Sequence, residues 1–304
     1  MKACDIELSL DDVLAKVSKP LARKIEYSVD LIRKSEKMAL RLDPENGFYL
    51  AMSGGKDSQV LYHIAKLSGV KFKAHMNLTS VDPPEVIRFV KTHYPDVELI
   101  KPRMSIYDMA KKKHILPTRI LRWCCKEYKE TSGAGKVTLI GIRREESARR
   151  AKRGEISTSI KGKRNEETFD QWSDHEEQMV ACVGGKDKIL VSPIIYWTER
   201  DVWEFLNANG IPHCELYDEG YTRIGCICCP MSQYRHKIKE IKRWPHVKRN
   251  WLKTIQWLID NAYIDHNFTD AETAFHWWIS GKSYKQFYAD EYQQLKIDFN
   301  KETE

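Results

Sequence analysis

Residues 20–43 carry apolar side chains at helical spacing: Leu21, Ile25, Val29, Leu31, Ile32, Met38 and Leu42. Recurrence every three to four residues predicts an amphipathic helix. The run Asp43-Pro44-Glu45-Asn46-Gly47 stops it. Phe48-Tyr49-Leu50-Ala51-Met52 is a short apolar run and reads as a buried strand. A Ser-Gly-Gly turn follows, then a helix through Val60, Leu61, Ile64 and Leu67. The alternation continues with a strand at Val70–Met76, a helix at Pro84–Thr92, a strand at Val97–Ile100 and a helix at Ile106–Lys112. Lys136–Gly141 and Ile189-Leu190-Val191 are further strands, and Thr198 opens a helix over Glu199–Asn209. Strands alternating with helices predict an α/β fold with a doubly wound, mostly parallel sheet.

Two stretches break the pattern. Residues 151–187 are rich in Lys, Arg, Glu, Gly and Ser with little periodicity, and read as a long insertion, a functional lid or a linker. From about Met231 onward the pattern is helical throughout. The expected organisation is an N-terminal helical segment (1–46), a central α/β domain (47–230) and a C-terminal helical region (231–304).

At 42% hydrophobic residues the chain can build a core, so wholesale disorder is not expected. No run of about 18 apolar residues occurs, so no membrane span is expected. Met1-Lys2-Ala3-Cys4-Asp5-Ile6-Glu7 lacks the apolar core of a signal peptide, and the expected location is cytoplasmic. A formal charge of +7 suits a polyanionic ligand but does not select one. The eight cysteines are clustered rather than scattered: Cys124 and Cys125 are adjacent, and Cys226, Cys228 and Cys229 fall together. In a reducing compartment such clusters read as metal ligands or redox groups before structural disulfides.

The segment Ser53-Gly54-Gly55-Lys56-Asp57-Ser58 joins the first strand to its helix. Two glycines let the backbone turn tightly and present N–H groups to a ligand. The helix N-terminus behind them favours an anion. Ser53 and Ser58 add hydroxyls, and Lys56 adds a positive charge. An ordinary Gly-Gly turn is the alternative. The Walker A and dinucleotide glycine patterns are both absent.

This hexapeptide resembles the PP-loop of the adenine nucleotide α-hydrolase-like superfamily, which includes ATP pyrophosphatases and sulfonucleotide reductases. The resemblance extends through Gly141-Ile142-Arg143-Arg144-Glu145-Glu146-Ser147-Ala148-Arg149-Arg150, similar to a segment of the phosphoadenosine phosphosulfate (PAPS) reductase family. It continues through Ser192-Pro193-Ile194, Tyr196–Trp203, Ile211-Pro212, Leu216–Tyr221 and Gly225-Cys226. Several ordered motifs in register are more specific than any one of them. The resemblance implies nucleotide contacts from Ser53, Gly54, Gly55, Lys56, Asp57 and Ser58, and from the segment Thr79–Glu85. It also implies anion binding by Arg143 and by at least one of Arg149 and Arg150, with Ser147 a hydrogen-bond donor. Arginine suits this because its planar fork stays charged. A solvated basic helix start, balanced by Glu145 and Glu146, is the alternative.

Cys124-Cys125 together with the Cys-x-x-Cys pair Cys226 and Cys229 resembles the [4Fe–4S] ligand set of cluster-bearing sulfonucleotide reductases. Zinc ranks second as occupant and inert buried thiols third. Cys4, Cys182, Cys214 and Cys228 match no ligand motif. The resemblance fails at one point: those reductases carry a Glu-Cys-Gly-x-His nucleophile in their tails, and no cysteine follows Cys229 here. The tail is aromatic and basic instead, with Trp244, Trp251, Trp257, Trp277, Trp278, Tyr284, Phe287, Tyr288 and Tyr292. A bundle packing these rings on its core is favoured over a nucleic-acid or partner surface.

The first expectation is an ATP pyrophosphatase-type enzyme of sulfur activation or transfer, with Lys56, Asp57 and Arg143 in catalytic roles. Mg²⁺ is implied, with Asp57 contributing directly or through water. The alternatives are a PAPS or adenylyl sulfate (APS) reductase with an unusual nucleophile, and a non-catalytic sensing module. Implied partners are the adenine nucleotide and a sulfur- or electron-donor protein, with nucleic acid as acceptor and a homo-oligomer left open.

Overall fold

The computed structural model describes residues 2–160, 163–174, 176–181, 183, 187–264 and 268–289. Cys182 and Tyr292 lie outside the described residues. Two compact units are present. The first comprises Met1–Leu78, Asp82–Lys101 and Tyr128–Gly225, and the second Thr79–Val81, Pro102–Glu127 and Cys226–Glu304.

The first unit is built on a seven-stranded sheet. Its strands are β1 (Phe48–Ala51), β2 (Phe72–Asn77), β3 (Glu98–Ile100), β4 (Val137–Leu139), β5 (Ile156–Ile160), β6 (Lys163–Glu167) and β7 (Lys188–Val191), in the order β3-β2-β1-β4-β7-β5-β6. β1, β2, β3, β4 and β7 run parallel, with Leu50 opposite Ala74 on one side and Leu139 on the other. The expected mostly parallel α/β sheet is therefore present. Central strands must bury both faces, which is why β1 reads as an unbroken apolar run. Phe48 and Leu50 are fully buried.

The helix Lys19–Leu42 buries Leu21, Ile25, Val29, Ile32 and Met38. Pro20 sits in its first turn, where a missing N–H costs nothing, and Asp43 closes it while accepting from Asn46 N at 3.0 Å. Trp197 Nε1 donates to Ser28 Oγ at 3.0 Å, tying this helix to the segment after β7.

Residues 151–187 differ from the expected loop. Within them Ile156–Ile160 and Lys163–Glu167 form the hairpin β5–β6, whose first strand pairs antiparallel with β7, Ile156 opposite Val191. Ile156, Ser157 and Thr158 are all buried. The neighbouring carboxylate of Glu155, itself buried, accepts from Tyr27 Oη, from Tyr196 Oη at 2.7 Å and from Phe169 N at 2.8 Å. Three donors make burial of that charge tolerable and fasten the hairpin to the unit.

In the second unit, helices Tyr234–Arg243, Pro245–Asp260 and Ala271–Ser280 pack with helix Ile106–Lys113. Trp244, Trp251, Phe275 and Trp278 are buried, and Trp278 Nε1 donates to the Pro117 carbonyl at 2.7 Å. These four rings are core, in keeping with a bundle that packs its aromatics inward. Among the described residues no helix is long and apolar enough to cross a membrane.

Candidate functional site

The loop after β1 stands at the carboxyl end of that strand, where open α/β sheets bind ligands. Gly54 has φ +72°, and a Cβ there would lie 2.6 Å from Val86 Cγ1 and 2.9 Å from Val90 Cγ2. Gly141, beyond β4, approaches from the other side, since its Cβ would meet the Asp57 carbonyl oxygen at 3.0 Å. Glycine at both positions thus lets two segments close on one helix N-terminus. Replacing Gly54 with Ala is expected to destabilise the fold by about 2–4 kcal/mol, from left-handed strain and overpacking together. Urea unfolding of G54A measures it, and an unchanged midpoint would refute the packing argument.

The two serines organise the loop internally. Ser58 Oγ donates to the Gly55 carbonyl at 2.8 Å and accepts from Ser53 N at 3.1 Å. Ser53 Oγ lies 3.1 Å from Ser58 Oγ. Gly55 caps the helix Lys56–Ser68. The first helical N–H, that of Lys56, donates to Tyr217 Oη at 2.8 Å. Burial pushes the Tyr217 phenol well up, so it is a neutral hydroxyl here.

Two buried cations stand at this loop, each only 4% exposed. Lys56 Nζ donates to the Thr222 carbonyl at 2.9 Å and lies 3.3 Å from Glu199 Oε1 and 3.9 Å from Asp57 Oδ2. Arg143 Nε donates to Asp57 Oδ1 at 2.5 Å, and Nη1 to Glu145 Oε2 at 2.7 Å. Burial opposes the Arg143 charge, but Asp57 and Glu145 outweigh it and hold its pKa above the ordinary value. Three carboxylates thus partner the two cations.

The other arginine-segment residues make local contacts. Ser147 Oγ accepts from Arg150 N at 3.3 Å as the cap of the short helix Ala148–Ala151. Arg150 pairs with Glu146 in the same turn, and Arg149 is exposed. Arg144 donates to the Arg153 carbonyl and lies over the Tyr196 ring. Tyr217, Glu199 and Thr222 were not singled out from sequence. The only signal for Glu199 and Tyr217 was membership of the motif-bearing stretches 196–203 and 216–221, and Thr222 falls between motifs.

All four candidate ligand cysteines belong to the second unit, although about 100 residues separate the two pairs. Cys124 and Cys125 lie in the turn Trp123–Cys125. A hydrogen bond with Cys125, burial, and the charges of Cys125, Cys226 and Cys229 push the Cys124 thiol up. Arg122 Nη2 donates to Cys125 Sγ at 3.6 Å, and Thr79 Oγ1 to Cys226 Sγ at 3.4 Å. Thr79–Val81 thus sides with the cysteines, and Val81 O accepts from Ile227 N at 2.8 Å. The buried Glu240 accepts from Cys228 N at 2.8 Å and fixes that residue at φ +58°. Among the described residues, no three His, Cys, Asp or Glu side chains are arranged to hold one metal ion. The donor chemistry nevertheless suits soft-metal or cluster ligation: four thiols in one unit, two of them accepting hydrogen bonds.

Comparison with known proteins agrees with this loop and sheet. An uncharacterised protein of Methanocaldococcus jannaschii is 24% identical over 261 residues, covering 81% of this chain and 56% of its own length. The adenosine 5′-phosphosulfate reductase of Staphylococcus haemolyticus is 27% identical over 168 residues, covering 53% of this chain and 59% of its own length. The chain thus spans somewhat over half the length of these two relatives. Among solved structures, Candida glabrata FMN adenylyltransferase aligns with a TM-score of 0.43 at 17% identity, over 74% of this chain and 66% of that one. The model of the family described as the phosphoadenosine phosphosulfate reductase domain matches residues 47–232, from the start of β1 through all four candidate ligand cysteines. With more than half its length matched, the chain belongs to the phosphoadenosine phosphosulfate reductase domain family.

Proposed function

We propose that this chain binds ATP on the loop 53–58 and adenylates an acceptor in sulfur activation or transfer. The observation that carries the reading is the pair of buried cations, Lys56 and Arg143, held beside a helix N-terminus by Asp57, Glu145 and Glu199. Phosphate oxygens would replace those carboxylates as partners of the two cations, and the Arg143 fork suits them. Tyr217 Oη already accepts from Lys56 N, which leaves its own proton for a phosphate oxygen.

In the reaction an acceptor oxygen attacks the α-phosphorus. The bond from that phosphorus to the α–β bridging oxygen breaks, and pyrophosphate leaves with the electron pair. The acceptor then carries an adenylate that a sulfur nucleophile can displace as AMP. Lys56 and Arg143 serve by stabilising charge that builds on the phosphates. Mg²⁺ is commonly held by one or two carboxylates plus phosphate oxygens; Asp57 and Glu199 would suffice, and the ion would neutralise part of the triphosphate charge. Cys124, Cys125, Cys226 and Cys229 would hold a [4Fe–4S] cluster, which supplies sulfur or electron chemistry when bound, with Zn²⁺ the alternative. A sulfur- or electron-donor protein is the expected partner of that unit.

The relatives named adenosine 5′-phosphosulfate reductase favour a second reading, reduction of a sulfonucleotide. That chemistry needs an accessible thiolate. Of the candidates Cys182, Cys214 and Cys228, the first lies outside the described residues, while Cys214 and Cys228 are buried and burial pushes both thiols up. Cys4 is pushed up to about 11, by burial first. The purified chain is therefore expected to bind ATP and to catalyse exchange of pyrophosphate into ATP in the presence of its acceptor. With adenylyl sulfates and thioredoxin or glutathione it is expected to release sulfite only at background. Robust sulfite release would overturn the adenylation reading. Tight ATP binding without exchange across candidate acceptors would favour a sensing module.

A further inference from the structure

We infer that the second unit carries a binding surface for single-stranded nucleic acid, centred on the exposed, stacked rings of His114 and Tyr263 with the half-buried Trp257 beside them. The His114 and Tyr263 rings are 3.8 Å apart and within 3° of parallel, and Trp257 lies beside the pair, 5.7 Å from Tyr263 and 6.3 Å from His114, inclined at 27° and 25°. His114 is exposed and Tyr263 is 44% exposed. Helices Ile106–Lys113 and Pro245–Asp260 do not need this stack to hold together. The half-buried Tyr107 meets the buried Trp251 at 5.0 Å between them, and Trp251 goes on to meet Trp278 at 4.6 Å. The stacked pair at the surface offers a face of the kind on which bases stack.

Charge points the same way. The first unit holds 31 Lys and Arg against 31 Asp and Glu, whereas the second holds 19 against 12, so the whole +7 of the chain resides in the second. On helix Pro245–Asp260, Arg249 and Lys253 are exposed and precede Trp257 at steps of four, which puts all three on one face. The exposed Lys112 belongs to the basic run that ends helix Ile106–Lys113 just before His114. Asp260, the acidic residue on that face, accepts from Gln256 Nε2 at 2.8 Å. Cations leading into stacked rings match the alternation of phosphate and base along a single strand; a duplex hides its bases and would use only the charge.

Binding itself is independent of the adenylation reading. That the strand is also the acceptor rests on that reading, so binding is tested without ATP or metal. The probes are labelled oligo(dT) and oligo(U), a duplex of equal length, and heparin as competitor, followed by fluorescence anisotropy. Single strands should bind more tightly than the duplex, and the oligo(U) and oligo(dT) arms tell RNA from DNA. Tyr263→Ala should weaken binding about 5–100-fold while Tyr263→Phe retains it. Arg249→Gln and Lys253→Gln should each make the dependence on log salt shallower by about 0.7. ATP affinity and thermal midpoint should be unchanged in Tyr263→Ala, which separates failure of this surface from failure of the nucleotide site. Equal binding of duplex and single strand, an unaffected Tyr263→Ala, or no binding at moderate salt would each overturn the inference.

Discussion

Replacing Arg143 with alanine is expected to weaken ATP binding by about 10–100-fold, the scale of a lost charge-assisted hydrogen bond of about 1.5–3 kcal/mol. The effect has two parts. The guanidinium would no longer meet a phosphate, and Asp57, to which Arg143 Nε now donates at 2.5 Å, would lose that partner and repel the triphosphate. The double variant Arg143→Ala/Asp57→Asn removes the repulsion and should recover part of the affinity without Mg²⁺. Arg143→Lys keeps the charge but loses the fork, so it should fall between wild type and alanine. Lys56→Ala should act in the same direction, because its Nζ is held by the Thr222 carbonyl and Glu199 in a site with little access to water. Titration calorimetry with ATP provides the measure, with thermal unfolding to check folding. Unchanged affinity in both Arg143→Ala and Lys56→Ala would remove the phosphate assignment of this loop.

Much of this loop's geometry was legible in the sequence because local pattern sets it. An apolar run buried on both faces announces β1, two glycines announce the turn, and the helical period announces the helix behind it. Gly141-Ile142-Arg143 was legible for the same reason, since it follows the apolar run of β4. The partners of the two cations were not. Tyr217 and Thr222 lie 161 and 166 residues from Lys56, brought in by the sheet order and signalled by no local period. The linear reading gave at least one of Arg149 and Arg150 a share of the anion site beside Arg143, with Ser147 as a donor. In the structure Ser147 caps the short helix Ala148–Ala151, and Arg150 pairs with Glu146 in the same turn. The hairpin β5–β6 escaped notice because its strands are written in Ser, Thr, Lys and Glu. Ser157 and Thr158 are nonetheless buried, and pairing with β7 rather than apolar alternation defines the strand.

Substituting any one of Cys124, Cys125, Cys226 and Cys229 with serine is expected to remove most of the bound metal, whereas Cys214→Ser and Cys228→Ser should retain it. The argument starts from topology. Chain segments far apart in sequence, Pro102–Glu127 and Cys226 onward, fold into one unit, and each brings two of these cysteines. Thr79 and Arg122 donate hydrogen bonds to two of the sulfurs, as suits thiolates that carry charge once a metal binds. Cys228 differs: its side chain is buried beside Glu240, and its backbone N–H donates to that carboxylate. Protein purified without oxygen should be brown and hold about four irons per chain with matching sulfide, since a [4Fe–4S] cluster takes four thiolates. Each ligand variant should lose the visible absorbance and also unfold at lower temperature, because metal affinity is coupled to folding where a site forms only in the native chain. Stoichiometric zinc without iron or sulfide would assign the same four thiols to the rival ion. Metal retained equally in all four variants would show that these cysteines are not its ligands.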